Sequence, residues 1–264
     1  QLDSSGPILI GTTVNFNADD ELSGPVTLTG TLAGSGDIVI GDTFTWTVGT
    51  MLGSGSTIIG PDATLTMSTT GYKDFSRVIE IQGTADYTGS NLRFGAASDQ
   101  IGTIHTTTTG VFNAIGDGDF SFSWGAAHVI QNDGTFTRSG TGTTTVNSGI
   151  ALNNSGTVDV QTGELGFYSY TQNAGETKVN GGAIRGQLEI QGGALTGAGP
   201  IYGGVINLGW TSPGLGDDAT GTIQVFGNYT QRINACFQAK AVPGSKKIAF
   251  IAGAHHADVG GSLV

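Results

Sequence analysis

The sequence predicts an all-β chain, a right-handed parallel β-helix with almost no α-helix, and three observations predict it. First, whole blocks recur in tandem. AGSGDIVIG at 33–41 returns as LGSGSTIIG at 52–60, so that Gly34, Ser35, Gly36, Ile40 and Gly41 recur 19 residues later as Gly53, Ser54, Gly55, Ile59 and Gly60. Second, 46 of the 264 residues are glycine and only 12% are charged. Typical domains hold about 7% glycine and about 25% charged residues. Third, short alternating runs such as Thr43–Val48, Gly156–Val160 and Gln187–Ile190 end in or near Gly or Asn. That is the signal of half-buried strands. No ten-residue stretch combines a 3.6 period with caps, so helix is not expected.

A block of 19–22 residues suits one coil of a solenoid. Such a coil cannot bury its apolar face alone, but stacking puts Ile on Ile and Val on Val in a continuous column. Gly and Asn suit the corners because they tolerate positive φ. A period of about 21 gives about 12 coils, and strands about 4.8 Å apart then give a rod about 60 Å long. A β-sandwich also spaces its strands at 8–12 residues. It does not require tandem recurrence of whole blocks.

Composition excludes several classes. The glycines follow no Gly-X-Y period, which excludes collagen. No apolar run approaches 18 residues, so no helical membrane span is expected. A net charge of −11 with 10 Lys and Arg repels a phosphate backbone, so nucleic acid is not an expected partner. The single cysteine, Cys236, allows no internal disulfide and no all-Cys zinc site. Gln1-Leu2-Asp3-Ser4 has neither the basic start nor the apolar core of a signal peptide, so the chain reads as processed, recombinant or a fragment.

Along the chain, residues 1–27 form a lead-in segment to the repeats. Asn15, Asn17, Asp19, Asp20 and Glu21 offer oxygen ligands suited to Ca²⁺. They lack EF-hand spacing, and the glycine-aspartate calcium repeat is absent, so a solvated polar turn is the reading. The pairs Asp117/Asp119 and Asp217/Asp218 read the same way. No cofactor is expected, and Ca²⁺ is the ion that these oxygen ligands would suit. Residues 28–231 carry the coil repeats. Thr45-Trp46-Thr47 aligns with Thr64-Leu65-Thr66 and follows Thr27-Leu28-Thr29. Thr-x-Thr ladders occur on ice-binding β-solenoids, but this one stops at three coils and reads as strand propensity. Residues 72–80, YKDFSRVIE, break the Gly/Thr rhythm and predict a protruding loop.

Phe120, Phe122 and Trp124 alternate, which puts all three on one face, read as a core stack rather than a sugar-stacking platform. Asn132-Asp133-Gly134-Thr135-Phe136 recurs as Asn154-Ser155-Gly156-Thr157-Val158 and again as Asn173-Ala174-Gly175. Phe167, Tyr168 and Tyr170 are the candidate surface contacts, with surface carbohydrate as the ligand. Two consecutive aromatics on a strand cannot both point inward. Residues 195–201 give a looser third copy of the first block. Residues 232–264 diverge and hold Arg232, Lys240, Lys246 and Lys247. Cys236 reads there as a small core residue. His255-His256 could share a metal with Asp258 only across a turn, because neighbours on a strand face opposite ways. They read as exposed polar residues. No linker is visible, so the organisation expected is one domain: β-helix repeats over 1–231, then a divergent segment over 232–264 that continues or caps the solenoid.

Residues 28–67 and 132–165 resemble the repeats of large bacterial surface and secreted proteins that form right-handed parallel β-helices. The stretch 194–231 is similar to the end-of-module pattern of autotransporter passengers and filamentous-haemagglutinin-like adhesins. It holds Gly193-Ala194-Leu195-Thr196-Gly197-Ala198-Gly199, Val205-Ile206-Asn207, Ser212-Pro213-Gly214, Gly221–Val225 and Gly227–Gln231. The resemblance implies an extracellular or cell-surface location and carries no catalytic motif, since the matching residues are corner and core positions. The amphipathic strands and aromatic girdles of an autotransporter barrel are not among these residues.

The expected function is therefore a non-enzymatic structural or adhesive module: a stalk, adhesin segment or fibre subunit. The alternative is a carbohydrate-active β-helix enzyme, a polysaccharide lyase or tailspike-like glycosidase. That requires carboxylates about 5–9 Å apart or a basic residue among acids. In sequence, Arg93, Arg138 and Arg185 stand isolated, and no Lys lies between 74 and 177. Ser5–Ile10 and Ser262-Leu263-Val264 are apolar and strand-like rather than polar caps. Open solenoid ends recruit further strands. The expected partners are thus a larger parent polypeptide or identical subunits joined through the ends.

Overall fold

The computed structural model describes residues 6–68, 70–90, 92–97, 100–215 and 221–238, together with the backbone of strands 250–252, 257–259 and 262–263. The chain winds as a β-solenoid with three faces. The first face begins with strands Ile8–Ile10, Val26–Leu28, Thr43–Trp46 and Thr64–Met67. The second begins with Thr13–Asn15, Thr31–Ala33, Gly49–Met51 and Lys73–Phe75. The third begins with Asp20–Leu22, Ile38–Ile40, Ser56–Ile59 and Val78–Ile81, and forms a 12-stranded sheet. Each strand pairs in parallel with those one coil before and one coil after it. No helix occurs among the described residues, and none is long and apolar enough to cross a membrane.

The first two faces are joined into one sheet by a single strand. Ala194–Tyr202 runs unbroken around the corner between them. Its first half pairs with Trp210–Pro213 and its second with Thr222–Val225. Parallel pairing continues into the divergent segment, where Cys236–Phe237 pairs with Ser262–Leu263 and Thr222–Val225 pairs with Phe250–Ala252.

Alternation decides which side chains fill the interior. Ile38 and Ile40 point inward while Val39 is outward and half-exposed. Ile40 registers on Ile59, and Ile59 on Ile81, so the third face carries an aliphatic column. Phe136 registers on Val158, again as the repeat predicts. Aromatics stack in the middle coils, with Phe112 over Phe136 at 5.2 Å and Phe75 against Phe94 at 4.4 Å. Each such side chain removed from water contributes about 1.5–3 kcal/mol.

The asparagine repeat becomes an interior amide ladder. Asn132 Nδ2 donates to Asn154 Oδ1 at 2.7 Å, and Asn154 Nδ2 to Gln172 Oε1 at 3.3 Å. Gln172 Nε2 then donates to the carbonyls of Gly192 and Ala194. Gln172, not Asn173, continues the column, because that corner is one residue longer.

Two sequence expectations are corrected by the structure. Residues 72–80 do not protrude. Lys73–Phe75 and Val78–Ile81 are ordinary coil strands, and Lys73, Phe75 and Arg77 are buried. Their polar tips find carbonyl oxygens inside the coil. Lys73 Nζ donates to Gly71 O at 3.1 Å. Arg77 donates to Leu52 O, Ser56 O and Gly36 O at 3.0, 2.8 and 3.2 Å, and burial pulls its guanidinium down to about 10, against the raising effect of Asp37. The Thr-x-Thr alignment is also shifted. Thr64-Leu65-Thr66 registers on Thr43-Phe44-Thr45, not on Thr45-Trp46-Thr47. The corner over residues 60–63 is two residues longer than that over 41–42, and it closes on its own turn, Ala63 N donating to Gly60 O at 2.9 Å.

Candidate functional site

The second face and the corner that follows it carry the exposed rings of Phe122, Trp124, Tyr168, Tyr202 and Phe226, while exposed Trp210 lies on the first face and exposed Tyr72 just before the second-face strand Lys73–Phe75. The three aromatics singled out by sequence divide there. Tyr168 is 73% exposed, but Phe167 and Tyr170 are 5% and 3% exposed and so are not surface contacts. Parity holds for the first pair: Phe167 ends strand Glu164–Phe167 pointing in, and Tyr168 follows pointing out. Ser169 then turns the chain, and Tyr170 opens the third-face strand pointing in. Its ring stacks on Phe167 at 4.7 Å, and its hydroxyl meets Thr177 Oγ1 beside the amide ladder. Burial raises the Tyr170 phenol far above its ordinary value.

Phe120, Phe122 and Trp124 likewise part company. Phe120 is buried, whereas Phe122 and Trp124 are exposed. The strand stops at Phe122, so strict alternation no longer applies to Trp124. A loop follows through Gly125, whose φ of 97° lies in the left-handed region that favours glycine. His128 Nε2 lies 2.8 Å from Trp124 O and holds the loop to the coil. The Phe122 ring lies across Gly149 of the next coil, where a Cβ would come within 2.5 Å of it.

Tyr202 and Phe226, which sequence reasoning missed, complete the row. They occupy matching positions on successive coils, since Ile201 registers on Val225, and their rings stack at 5.0 Å. One coil earlier, Arg185 registers on Tyr202 and lies over its ring at 5.1 Å. Both oxygens of Glu164 hold that guanidinium, at 2.6 and 2.9 Å, and this hydrogen bonding raises its pKa further. Exposed rings of this kind offer large, rigid apolar faces at low entropic cost, which makes this row the candidate site.

Every arginine that looks isolated in sequence has a carboxylate one coil below. Arg93 grips Asp74 at 2.5 and 2.6 Å and stacks over Tyr72 at 4.0 Å. Arg138, fully buried, reaches Asp117 at 2.6 Å. These partners lie 19 and 21 residues apart, as do Arg185 and Glu164 at 21. The coil period was the signal that could have found them.

Two other clusters complete the survey. On the third face His105 stands between Glu80 and Asp133, with Nδ1 3.9 Å from Glu80 Oε2 and Nε2 2.9 Å from Asp133 Oδ2. Asp19, Asp20, Glu21 and Asp37 line an open depression. The three aspartates are engaged by backbone: Asp19 accepts from Asp37 N at 2.9 Å, Asp37 from Ser56 N at 2.6 Å, and Asp20 from Glu21 N at 3.0 Å. No group of three or more His, Cys, Asp or Glu side chains is arranged to hold a metal among the described residues. Cys236 is half-buried beside exposed Trp210 rather than in the core. Asp217, Asp218, His255 and His256 and the side chain of Asp258 lie outside the described residues. Comparison with family models, with curated proteins and with solved structures finds no match to this chain.

Proposed function

We propose that this chain is a non-enzymatic structural and adhesive module of a bacterial surface or secreted protein, working outside the cell as a rigid rod that presents a binding face. The observation that carries this reading is the exposed row Phe122, Trp124, Tyr168, Tyr202 and Phe226 on a continuous parallel stack. Soluble monomers seldom leave so many large rings uncovered along one side. The resemblance of residues 28–67, 132–165 and 194–231 to adhesin repeats supports the same reading. So does the pairing of Arg93, Arg138 and Arg185 with single carboxylates, which occupies the cations a lyase would direct at its substrate.

The alternative, a carbohydrate-active enzyme, draws on Glu80, His105 and Asp133, the one place among the described residues where an imidazole lies between two acids. The test takes two assays on the whole chain. In the first, a polysaccharide panel is followed by reducing-end release and by absorbance of unsaturated products. No turnover is expected, and turnover abolished by Glu80→Gln or Asp133→Asn would overturn the module reading. In the second, beads carrying the protein are passed over polysaccharide-coated surfaces. Retention is expected, and release from every coating would also overturn it.

A further inference from the structure

We propose that the ring row is a binding track for a neutral, extended β-1,4-linked polysaccharide chain lying along the rod; this deepens the adhesive reading and rests on it. The argument starts from register. Phe120 pairs with Val146 and Val146 with Phe167, so Tyr168 stands two coils above Ser121, the neighbour of Phe122. Gly166 pairs with Arg185 and Arg185 with Tyr202, so Tyr202 stands two coils above Gly166, two residues from Tyr168. Phe226 follows one coil later. From Phe122 to Tyr168 and from Tyr168 to Tyr202 the rings therefore climb two coils at a time, drifting by one and then two residues along the strand, while Phe226, one coil on, stacks on Tyr202 at 5.0 Å. With strands about 4.8 Å apart and about 3.4 Å per residue, successive positions lie about 10 and about 12 Å apart.

That step is of the same order as the two-sugar repeat of an extended β-1,4-linked pyranose chain. In such a chain alternate sugars present the same face to one side. Every second sugar can then lie on a ring, while the intervening sugar passes over a coil that carries no aromatic. Asn147 and Gln187 lie outward on those intervening coils and bring amide donors and acceptors to the ring hydroxyls. A chain that coils, such as an α-1,4-linked glucan, does not keep this spacing.

Charge decides between neutral and acidic polymers. The guanidinium within the row, Arg185, is held by both oxygens of Glu164. The protein as a whole carries −11, which disfavours a polyanion at a distance. The aromatic faces and the amides remain available, and they suit a ligand of hydroxyls and C–H faces.

Affinity electrophoresis and calorimetry on the whole chain test this, with hydroxyethyl cellulose, glycol chitin, cellohexaose and chitohexaose as neutral probes. Amylose and a polyuronate are the contrasting probes. Retardation by at least one neutral β-1,4 polymer is expected, with at least tenfold weaker binding in Tyr168→Ala/Tyr202→Ala. Tyr168→Phe/Tyr202→Phe keeps the rings and should keep the affinity. Both tyrosines are exposed, and circular dichroism with urea midpoints checks that each variant folds. Equal affinity in the alanine pair overturns the track, as does stronger binding of the polyuronate or of amylose. Bead retention without binding of any neutral β-1,4 probe overturns the track and leaves the adhesive reading standing. Acid-dependent turnover overturns the adhesive reading and leaves a measured ring-dependent affinity standing.

Discussion

Arg138 shows how much one residue can hold. Its guanidinium is fully buried and donates to Ala114 O, Gly116 O, Gly142 O and Glu164 O at 3.1, 2.6, 2.8 and 3.3 Å, and to Asp117 at 2.6 Å. Those acceptors lie on three successive coils. Removing the guanidinium leaves buried carbonyl oxygens without a donor, at about 1–3 kcal/mol for an unsatisfied buried acceptor, while half-exposed Asp117 turns to water. Arg138→Ala should therefore lower the urea-unfolding free energy by about that much, and Arg138→Lys, with one compact head, should recover little. The pH dependence follows from Asp117. The hydrogen bond from Arg138, then that from Gly142 N, holds its carboxyl below the usual carboxylate range. A group depressed in the folded state stabilises above its unfolded pKa of about 3.9 and loses that contribution as pH falls through the lower folded value. Acid titration of stability should thus be flatter below about pH 4 in Asp117→Asn than in the parent. None of this was legible while Arg138 was read on its own. It becomes legible once each arginine is paired with the acid one coil earlier.

At the scale of the element, corners rather than strands carry the irregularity. The strands were readable because alternation is local: Phe44, Leu65 and Phe136 point inward as their neighbours require. Corner length was not, because two residues inserted at a turn leave both flanking strands unchanged. Third-to-first corners of two residues, 41–42 and 82–83, alternate with corners of four, 60–63 and 107–110. Each longer corner closes on its own hydrogen bond, Ala63 N to Gly60 O and Gly110 N to Thr107 O, both 2.9 Å. Deleting Pro61 and Asp62 together should therefore preserve the register of Thr64–Met67 and shift stability by about 1 kcal/mol or less, since closure cost varies slowly with loop length. Thermal melts and the retained circular dichroism spectrum check it. The short strand ends misled in the same way at Trp124 and Tyr170, where a turn resets the parity that alternation assumes.

For the whole molecule the repeat was the readable quantity, and it predicted the parallel stack and the columns Ile40–Ile59 and Phe136–Val158. The aromatic row was only partly readable, through Tyr168. Its other members are brought together by register across one or two coils, and register depends on every corner between them. A stack in which each coil touches mainly its neighbours behaves nearly one-dimensionally. Phe112 and Phe136 lie mid-stack, face to face. Phe112→Ala should cost about 3–5 kcal/mol. In hydrogen exchange, the amides of its own and the adjoining coils should lose protection before those of the Ile38–Ile40 region.

Because the strands run around the rod, the hydrogen bonds between coils point along it. Tension applied along the axis therefore loads those bonds end-on, so that the solenoid opens as a zipper, one turn at a time, instead of shearing as a block. Each turn of about 21 residues should pay out about 70 Å of chain at 3.3–3.6 Å per residue. The three turns riveted by Arg138 should resist together and give a higher force peak. Single-molecule pulling from the two ends should show a regular sawtooth broken by that peak, and the peak should vanish in Arg138→Ala. A surface-tethered rod built this way would lengthen under flow before letting go, which makes the buried arginine a limiter of load as well as a fastening.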